Sequence, residues 1–370
     1  MWLREISILN FKNIEEARVE FCPGLNCLVG DNGQGKSNLL EAIYYLSMTR
    51  SFLRLPDAEV MRRGASSMLV RGDYELGSGR SDSVSIGFAP PRRKVLRRGG
   101  KEYRRMSVHI GTLPVVLVSP RDHFLVTGGP EERRRLMDTV ISQGDPLYLE
   151  ALISYEKAVA SRNSLLRAEC SDPLVLEAVE ARMEQAASVI ETARVDWTHT
   201  IAGPFRRYYS AIASVPEVPA LDYAPARGDI PLRDALAREL RRDLALGYTT
   251  VGPHRDDLHM TLDGADLRRS GSQGQIKTFT VSLRLAIYEY LRSCRNVRPL
   301  LLLDDIFDKL DASRVGSIMT LVSESDRFGQ IFITDTGRRR TDAILERISA
   351  PSRLFETRQG AYSLLKNARP

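Results

Sequence analysis

The sequence predicts an α/β protein, a P-loop head assembled from both ends of the chain with a mainly helical lobe inserted between them. Three observations predict it. A glycine-rich loop, Gly30–Ser37, lies between an apolar run and an amphipathic stretch; the apolar run Leu300–Leu303 ends in Asp304-Asp305; and the middle of the chain is helical in texture. The implied divisions are residues 1–129 and 247–370 for the head and 130–246 for the lobe.

In order along the chain, Leu3, Ile6, Ile8 and Phe11 alternate with polar neighbours and predict a strand. Arg18–Phe21 predicts another, and Pro23-Gly24 leads into the apolar strand Leu25–Val29. After the loop, Leu39, Ile43 and Leu46 share one helical face, with Leu40 and Tyr44 beside it. Met68–Val70, Ser83–Phe88 and Val115–Val118 read as short strands. Glu131–Ile141, Pro146–Ala168 and Pro173–Ala213 read as helices, with breaks at 144–146, 173 and 203–204. Val215–Pro231 is Pro-rich and reads as a loop, Leu232–Leu246 as a charged helix, and Leu258–Leu262 as a strand. A periodic helix spans about Gln273–Arg292, followed by the strands Leu300–Leu303 and Ile331–Ile333.

Bulk properties bound the function. The 370 residues suffice for two domains, and 43% hydrophobic with 27% charged residues is ordinary for a soluble protein. No apolar run reaches the roughly 20 residues of a membrane-spanning helix, and Met1–Glu5 lacks a signal-peptide layout, so a cytoplasmic location is expected. A formal charge of +6 permits a polyanionic partner without demanding one. Cys22, Cys27, Cys170 and Cys294 have no zinc spacing and are expected to be buried thiols.

Gly30-Asp31-Asn32-Gly33-Gln34-Gly35-Lys36-Ser37 fits G-x-x-x-x-G-K-[ST]. Glycines let successive backbone N–H groups turn toward phosphates, and the helix N-terminus adds partial positive charge. Lys36 is placed to reach the β- and γ-phosphates of ATP, and Ser37 to hold Mg²⁺. Such a loop needs an acidic partner. Asp304, at the C-terminal end of an apolar strand, is the expected second Mg²⁺ residue, and Asp305 the group that orients or deprotonates the attacking water. Ser272-Gln273-Gly274-Gln275, ahead of the periodic helix, resembles the S-x-G-Q signature of ABC-type ATPases, where it meets the γ-phosphate held by a second subunit. A plain helix cap is the competing reading. Asp308-Lys309-Leu310-Asp311 matches the D-loop of that class, and Asp311 can also cap the next helix.

Further strings narrow the class: Asn10-Phe11-Lys12-Asn13-Ile14, Val118–Asp122, Glu132–Asp138, Arg162–Leu166 and, above all, Gly247-Tyr248-Thr249-Thr250-Val251-Gly252-Pro253-His254-Arg255-Asp256-Asp257-Leu258. With the loop and the acidic strand they make the chain resemble the RecF family of bacterial recombination mediators, related to SMC-type ATPases. The resemblance implies an ABC/SMC-type P-loop ATPase head and adds Lys12, Asn13 and Asn38 to the expected nucleotide contacts. It also implies ATP-dependent homodimerisation, weak DNA-dependent ATP hydrolysis and binding to gapped or single-strand/double-strand junction DNA. Cooperation with RecR and RecO in placing RecA on DNA, in recombinational repair and replication restart, comes from the same source.

Departures are visible. ABC proteins usually carry Glu as the water-activating residue; Asp305 occupies that place here, as Asp usually does in RecF-like chains, and the shorter arm suits slow turnover. Thr334-Asp335-Thr336 stands in place of a switch histidine, Ser119–Thr127 offers no Q-loop glutamine, and Arg121 replaces an acidic residue.

For DNA, eight of residues 92–105 are basic: Arg92, Arg93, Lys94, Arg97, Arg98, Lys101, Arg104 and Arg105. Gly99-Gly100 suggests a hairpin that presents them together for phosphate contact, against the plainer alternative of a solvated basic face. Arg133–Arg135 and Arg206-Arg207 are weaker candidates. His254 and Arg255, beside Asp256 and Asp257, read as a salt-bridged structural turn. Competing classes are the cytosolic ATPase subunit of an ABC transporter, a head with long coiled-coil arms, for which the Pro- and Gly-interrupted insert is unsuited, and a module that binds ATP without using its hydrolysis.

Overall fold

The computed structural model describes all residues except 78, 170–171, 308–310, 324–326, 348–349 and 369–370. The alternating N-terminal residues form β1 (Trp2–Phe11), which turns through Lys12-Asn13 into β2 (Ile14–Glu20). The apolar run Leu25–Val29 is β3, buried along its length, and the glycine-rich loop joins it to α1 (Lys36–Met48). Next come α2 (Asp57–Val60), β4 (Met68–Glu75), β5 (Ser81–Phe88), β6 (Val95–Arg98), β7 (Lys101–Glu102) and β8 (Val115–Val118). The middle carries α3 (His123–Thr127), α4 (Pro130–Gly144), α5 (Pro146–Arg167), α6 (Pro173–Ile212), β9 (Pro219–Ala224) and α7 (Leu232–Leu246). Then follow β10 (Asp257–Leu262), β11 (Ala265–Asp266), α8 (Leu267–Ser270), α9 (Gln273–Arg295) and β12 (Leu300–Leu303). The last elements are α10 (Ala312–Ser323), β13 (Ile331–Asp335), α11 (Arg338–Arg347), β14 (Ser352–Arg358) and β15 (Ala361–Ala368).

The chain forms two compact units, Met1–Pro120 with Ile287–Pro370, and Arg121–Ala286. These limits fall elsewhere than the expected 129/130 and 246/247, for two physical reasons. Asp122 pairs with Arg284 at 2.7 Å, which ties residues just after 120 to the second unit. β9 pairs antiparallel with β10, which keeps residues 257–262 with the helices.

The first unit holds two six-stranded sheets, β2-β1-β4-β5-β6-β7 and β15-β14-β3-β13-β12-β8. The first is antiparallel. In the second, β14, β3, β13, β12 and β8 run parallel, and β15 pairs antiparallel at the edge. α1 buries Leu39, Leu40, Ala42, Ile43, Tyr44, Tyr45 and Leu46, apolar around nearly its whole circumference rather than on one face. Its buried residues share one core with those of β1, β4 and β5 from the first sheet and of β8, β12 and β13 from the second.

Within the second unit, α5 and α6 pack together with α4 and α7, beside the three-stranded sheet β11-β10-β9. Two expectations fail here. α6 runs unbroken through Pro204, because Trp197, Ile201, Phe205, Tyr208 and Tyr209 are buried on either side and outweigh the lost backbone hydrogen bond. The Pro-rich stretch contains β9, whose prolines lie at its first residue and beyond its end, where a strand tolerates them. Cys22 and Cys27 are buried, and burial pushes both thiols up. Cys294 is exposed, contrary to expectation, and Cys170 lies outside the described residues.

Candidate functional site

Parallel pairing sets the site. β13 lies between β3 and β12, with Ile333 opposite both Cys27 and Leu303, so the loop after β3 and the carboxylates after β12 leave the same edge of one sheet. Gly35 has φ +111, and a Cβ there would sit 2.9 Å from Asn13 Oδ1; Gly30 would drive one to 2.4 Å from the Thr357 carbonyl oxygen. Both positions therefore require glycine. α1 starts at Lys36 with no side-chain cap and no acid in its own first turn, so no residue of the helix itself offsets the positive end of its dipole. The Lys36 ammonium donates to the carbonyls of Gly30 (2.6 Å) and Asp31 (2.8 Å), and burial pushes its pKa down against the pull of Asp305 and Asp304.

Ser37 Oγ donates to Asp304 Oδ1 at 2.7 Å, and Thr334 Oγ1 donates to the same oxygen at 2.8 Å. Asp304 is 5% exposed, and burial raises its carboxyl despite both hydroxyls. Asp305 is half-buried with φ +47, a left-handed backbone for a non-glycine residue. Lys36, Ser37, Asp304 and Asp305, far apart in sequence, thus meet in one place. Asp31, Asn32 and Gly33 are exposed at the loop tip.

Asn13 receives Asn38 Nδ2 at 2.7 Å and donates to the Gln34 carbonyl at 3.3 Å, so it braces the loop. The Lys12 ammonium is ion-paired to buried Glu41, which also accepts from Ser51. A clasp absent from the sequence expectations comes from the β14–β15 turn. Gly360 N donates to the Gln34 carbonyl (2.7 Å), Gln359 N to Gln34 Oε1 (2.8 Å) and Tyr362 OH to the Gly35 carbonyl (2.8 Å). No local sequence signal marks this contact, since its partners stand more than 300 residues apart.

In the second unit, Ser272 and Gln275 form a reciprocal capping box: Ser272 N donates to Gln275 Oε1 (2.8 Å) and Gln275 N to Ser272 Oγ (3.2 Å). Gln275 Nε2 also donates to Glu217, and Gly274 is partly exposed. Of the expected D-loop, 308–310 lie outside the described residues, while Asp311 caps α10 through Arg314 N at 2.9 Å.

The family described as AAA ATPase domain matches residues 1–84. The DNA replication and repair protein RecF of Parabacteroides distasonis is 42% identical over 360 residues, 97% of this chain and 98% of that protein. Its counterpart in Porphyromonas gingivalis is 43% identical over 361 residues, 97% of this chain and 99% of that protein. The chain belongs to the RecF family. A solved structure of the recombination mediator protein RecF-ATPrS in the RecFOR pathway matches with a TM-score of 0.88 and 29% identity, covering 99% of this chain and 98% of that one. The Smc head domain of Pyrococcus furiosus, solved with an extended coiled coil and bound to the C-terminal domain of ScpA, matches with a TM-score of 0.58 at 16% identity over 98% and 96% of the two chains. The fold is therefore the ABC/SMC-type P-loop ATPase head with a helical lobe.

In this member of the RecF family, the Gly247–Leu258 string is a polar scaffold with Thr249 and Asp256 buried and Tyr248 and Arg255 exposed, and its aspartates pair with arginines outside the string rather than with His254 or Arg255. Asp256 accepts from Arg194 (3.0 Å), Tyr223 and Ala226 N, and Asp257 pairs with Arg133 (2.6 Å). His254 Nε2 faces the Thr249 carbonyl, which only accepts, so the ring's proton sits on Nε2 and Tyr155 OH donates to Nδ1 at 2.8 Å. Burial holds His254 down to about 4.

The basic hairpin forms: Arg98 pairs with Lys101 across Gly99-Gly100, both at positive φ. Its charges are unequal in availability. Lys94 is tied to Asp57 (3.0 Å) and the Thr49 carbonyl, and Arg98 to Asp82 (2.5 Å). Arg97 stands 4.0 Å from Glu102. Arg92, Arg93, Lys101, Arg104 and Arg105 are exposed. Among the weaker candidates, Arg133 is buried in its ion pair with Asp257. No helix among the described residues is long and apolar enough to cross a membrane.

Proposed function

We propose that this chain is an ATP-binding DNA-repair protein of the RecF type that closes over DNA as an ATP-dependent homodimer and uses slow hydrolysis to time its release. One observation carries the reading: a hydroxyl and a carboxylate, Ser37 and Asp304, meet at 2.7 Å below an uncapped helix start beside Lys36. That is a hard, oxygen-only donor pair and it fits Mg²⁺, which favours carboxylate and hydroxyl oxygens with water completing the shell. When bound, the ion would neutralise charge on the β- and γ-phosphates.

The chain's own residues do the rest. Backbone N–H groups of Gly33, Gln34 and Gly35 and the start of α1 would wrap the phosphates, and Lys36 would exchange its two carbonyl partners for phosphate oxygens. Asp305 would orient the attacking water. Ser272–Gln275 of a second copy would complete the site, so that ATP joins the two subunits. Exposed Arg92, Arg93, Arg97, Lys101, Arg104 and Arg105 supply a duplex-facing charge without base specificity. Gapped or junction DNA as the target, cooperation with RecR and RecO in loading RecA, DNA-stimulated turnover and a cytoplasmic site of action belong to the same proposal. The RecFOR context of the solved relative supports it.

Mass-resolved solution scattering of the protein alone, with ATP and Mg²⁺, and with gapped DNA added tests it. A doubling of mass on ATP that persists on DNA is expected; a chain that stays monomeric under every condition rules the dimer out.

A further inference from the structure

One hydroxyl on a neighbouring strand ties the Asp304 carboxylate to the backbone of Asp305. Thr334, near the end of β13, is fully buried. Its Oγ1 lies 2.8 Å from Asp304 Oδ1 and 2.9 Å from the Asp305 backbone nitrogen. An amide N–H can only donate, an ionised carboxylate can only accept, and a hydroxyl carries one proton. The polarity is therefore fixed: Asp305 N–H donates to Thr334, and Thr334 donates to Asp304. This hydroxyl reaches two adjacent residues at the exit of another strand. It does so where Asp305 adopts φ +47, a left-handed backbone that costs a non-glycine residue energy, although aspartate tolerates it better than most.

We infer that Thr334 is a positioning residue, which sets the backbone of Asp305 and the carboxylate plane of Asp304 so that one faces the attacking water and the other the Ser37 side. The inference rests on the roles proposed above for these two aspartates. Thr334 reaches them through β13, the strand that separates the phosphate-loop strand from the acidic strand. Without the hydroxyl, the Asp305 N–H loses its acceptor, Asp304 retains Ser37 as its one hydroxyl donor, and the left-handed residue is free to relax.

The test compares full-length wild type, Thr334→Val and Thr334→Ser. Three quantities are read: steady-state ATP hydrolysis, affinity for a fluorescent ATP analogue without Mg²⁺, and hydrogen exchange of the peptide containing the Asp305 amide. Losing one buried hydrogen bond to a charged group should lower kcat of the valine variant about tenfold. Analogue affinity should stay within twofold, the Asp305 peptide should exchange faster, and serine should restore both kcat and protection. Wild-type kcat and protection in the valine variant overturn the inference. So does a serine variant as impaired as valine, or a loss of analogue binding equal to the loss of kcat, because each points to packing rather than positioning. If valine fails to fold, Thr334→Ala is read by the same three measurements. Should the wild type bind no ATP, the proposed function fails, while the exchange data still decide whether Thr334 holds Asp305.

Discussion

Replacing Asp304 by asparagine should make the first unit more heat-stable while abolishing hydrolysis. Burial holds the Asp304 carboxyl above its unfolded value, against the opposing hydroxyls of Ser37 and Thr334 and the charge of Lys36. A raised carboxyl contributes fully to stability only below the unfolded value of about 3.9, and that contribution is lost as pH rises through the folded value. At neutral pH the ionised group therefore costs stability, and a neutral amide of the same shape relieves the cost. Its carbonyl oxygen can still accept from both hydroxyls, and Lys36 keeps the Gly30 and Asp31 carbonyls, so no ammonium is orphaned. A stabilising single substitution commonly yields about 0.5–2 kcal/mol, and each kcal/mol moves a melting point by about 2–4 °C in a domain of roughly this size. Calorimetry without nucleotide or Mg²⁺ should show Asp304→Asn melting above wild type at pH 7.5, with the gap closing as the pH is lowered toward 4. A variant that melts below wild type at pH 7.5, or a gap indifferent to pH, would refute the view that this carboxylate is held at a cost.

Three further outcomes are expected. Ser272→Arg should leave binding of a fluorescent ATP analogue intact yet stay monomeric with ATP in sedimentation, whereas Lys36→Met should lose both; a normal Ser272→Arg dimer sinks the shared-site proposal. Neutralising Arg92, Arg93, Arg104 and Arg105 should weaken DNA binding and reduce the log–log salt slope by about 0.9 for each phosphate no longer neutralised. Neutralising Lys94 and Arg98, which are spent on Asp57 and Asp82, should lower the melting point instead and leave that slope alone. His254 is held at about 4, below its unfolded value, facing Tyr155, Thr249, Arg255, Arg134 and Asp243. It therefore contributes up to about 3 kcal/mol above pH 6.5 that is lost as pH falls toward 4. In urea titrations His254→Gln should flatten that acid loss, and an unchanged pH profile would count against it.

What sequence could reveal followed from how local each signal is. The strand–loop–helix around Gly30–Ser37 and the apolar strand before Asp304 carry their chemistry in consecutive residues, so both were legible. The braces were not. Thr334, Gln359, Gly360 and Tyr362 act only because parallel pairing of β3 with β13 and β14 brings them beside the loop. Charge density likewise misled at Lys94 and Arg98, since their neutralising carboxylates stand 37 and 16 residues away. Pro204 shows the opposite error: a strong local breaker was overruled by aromatic burial on both sides of it.

The clasp on the phosphate loop has a consequence for biosynthesis. Both strands that flank β3, namely β13 and β14, are made some 300 residues after it. While the chain emerges from the ribosome, the strand Leu25–Val29, apolar but for Asn26, has neither neighbour, and Gln34 and Gly35 lack their fasteners. Nascent chains should therefore hold an aggregation-prone segment that is quenched only after Tyr362 is synthesised. Chaperone occupancy should follow, and truncations within β14 or β15 should give insoluble protein rather than a soluble head with a weakened site.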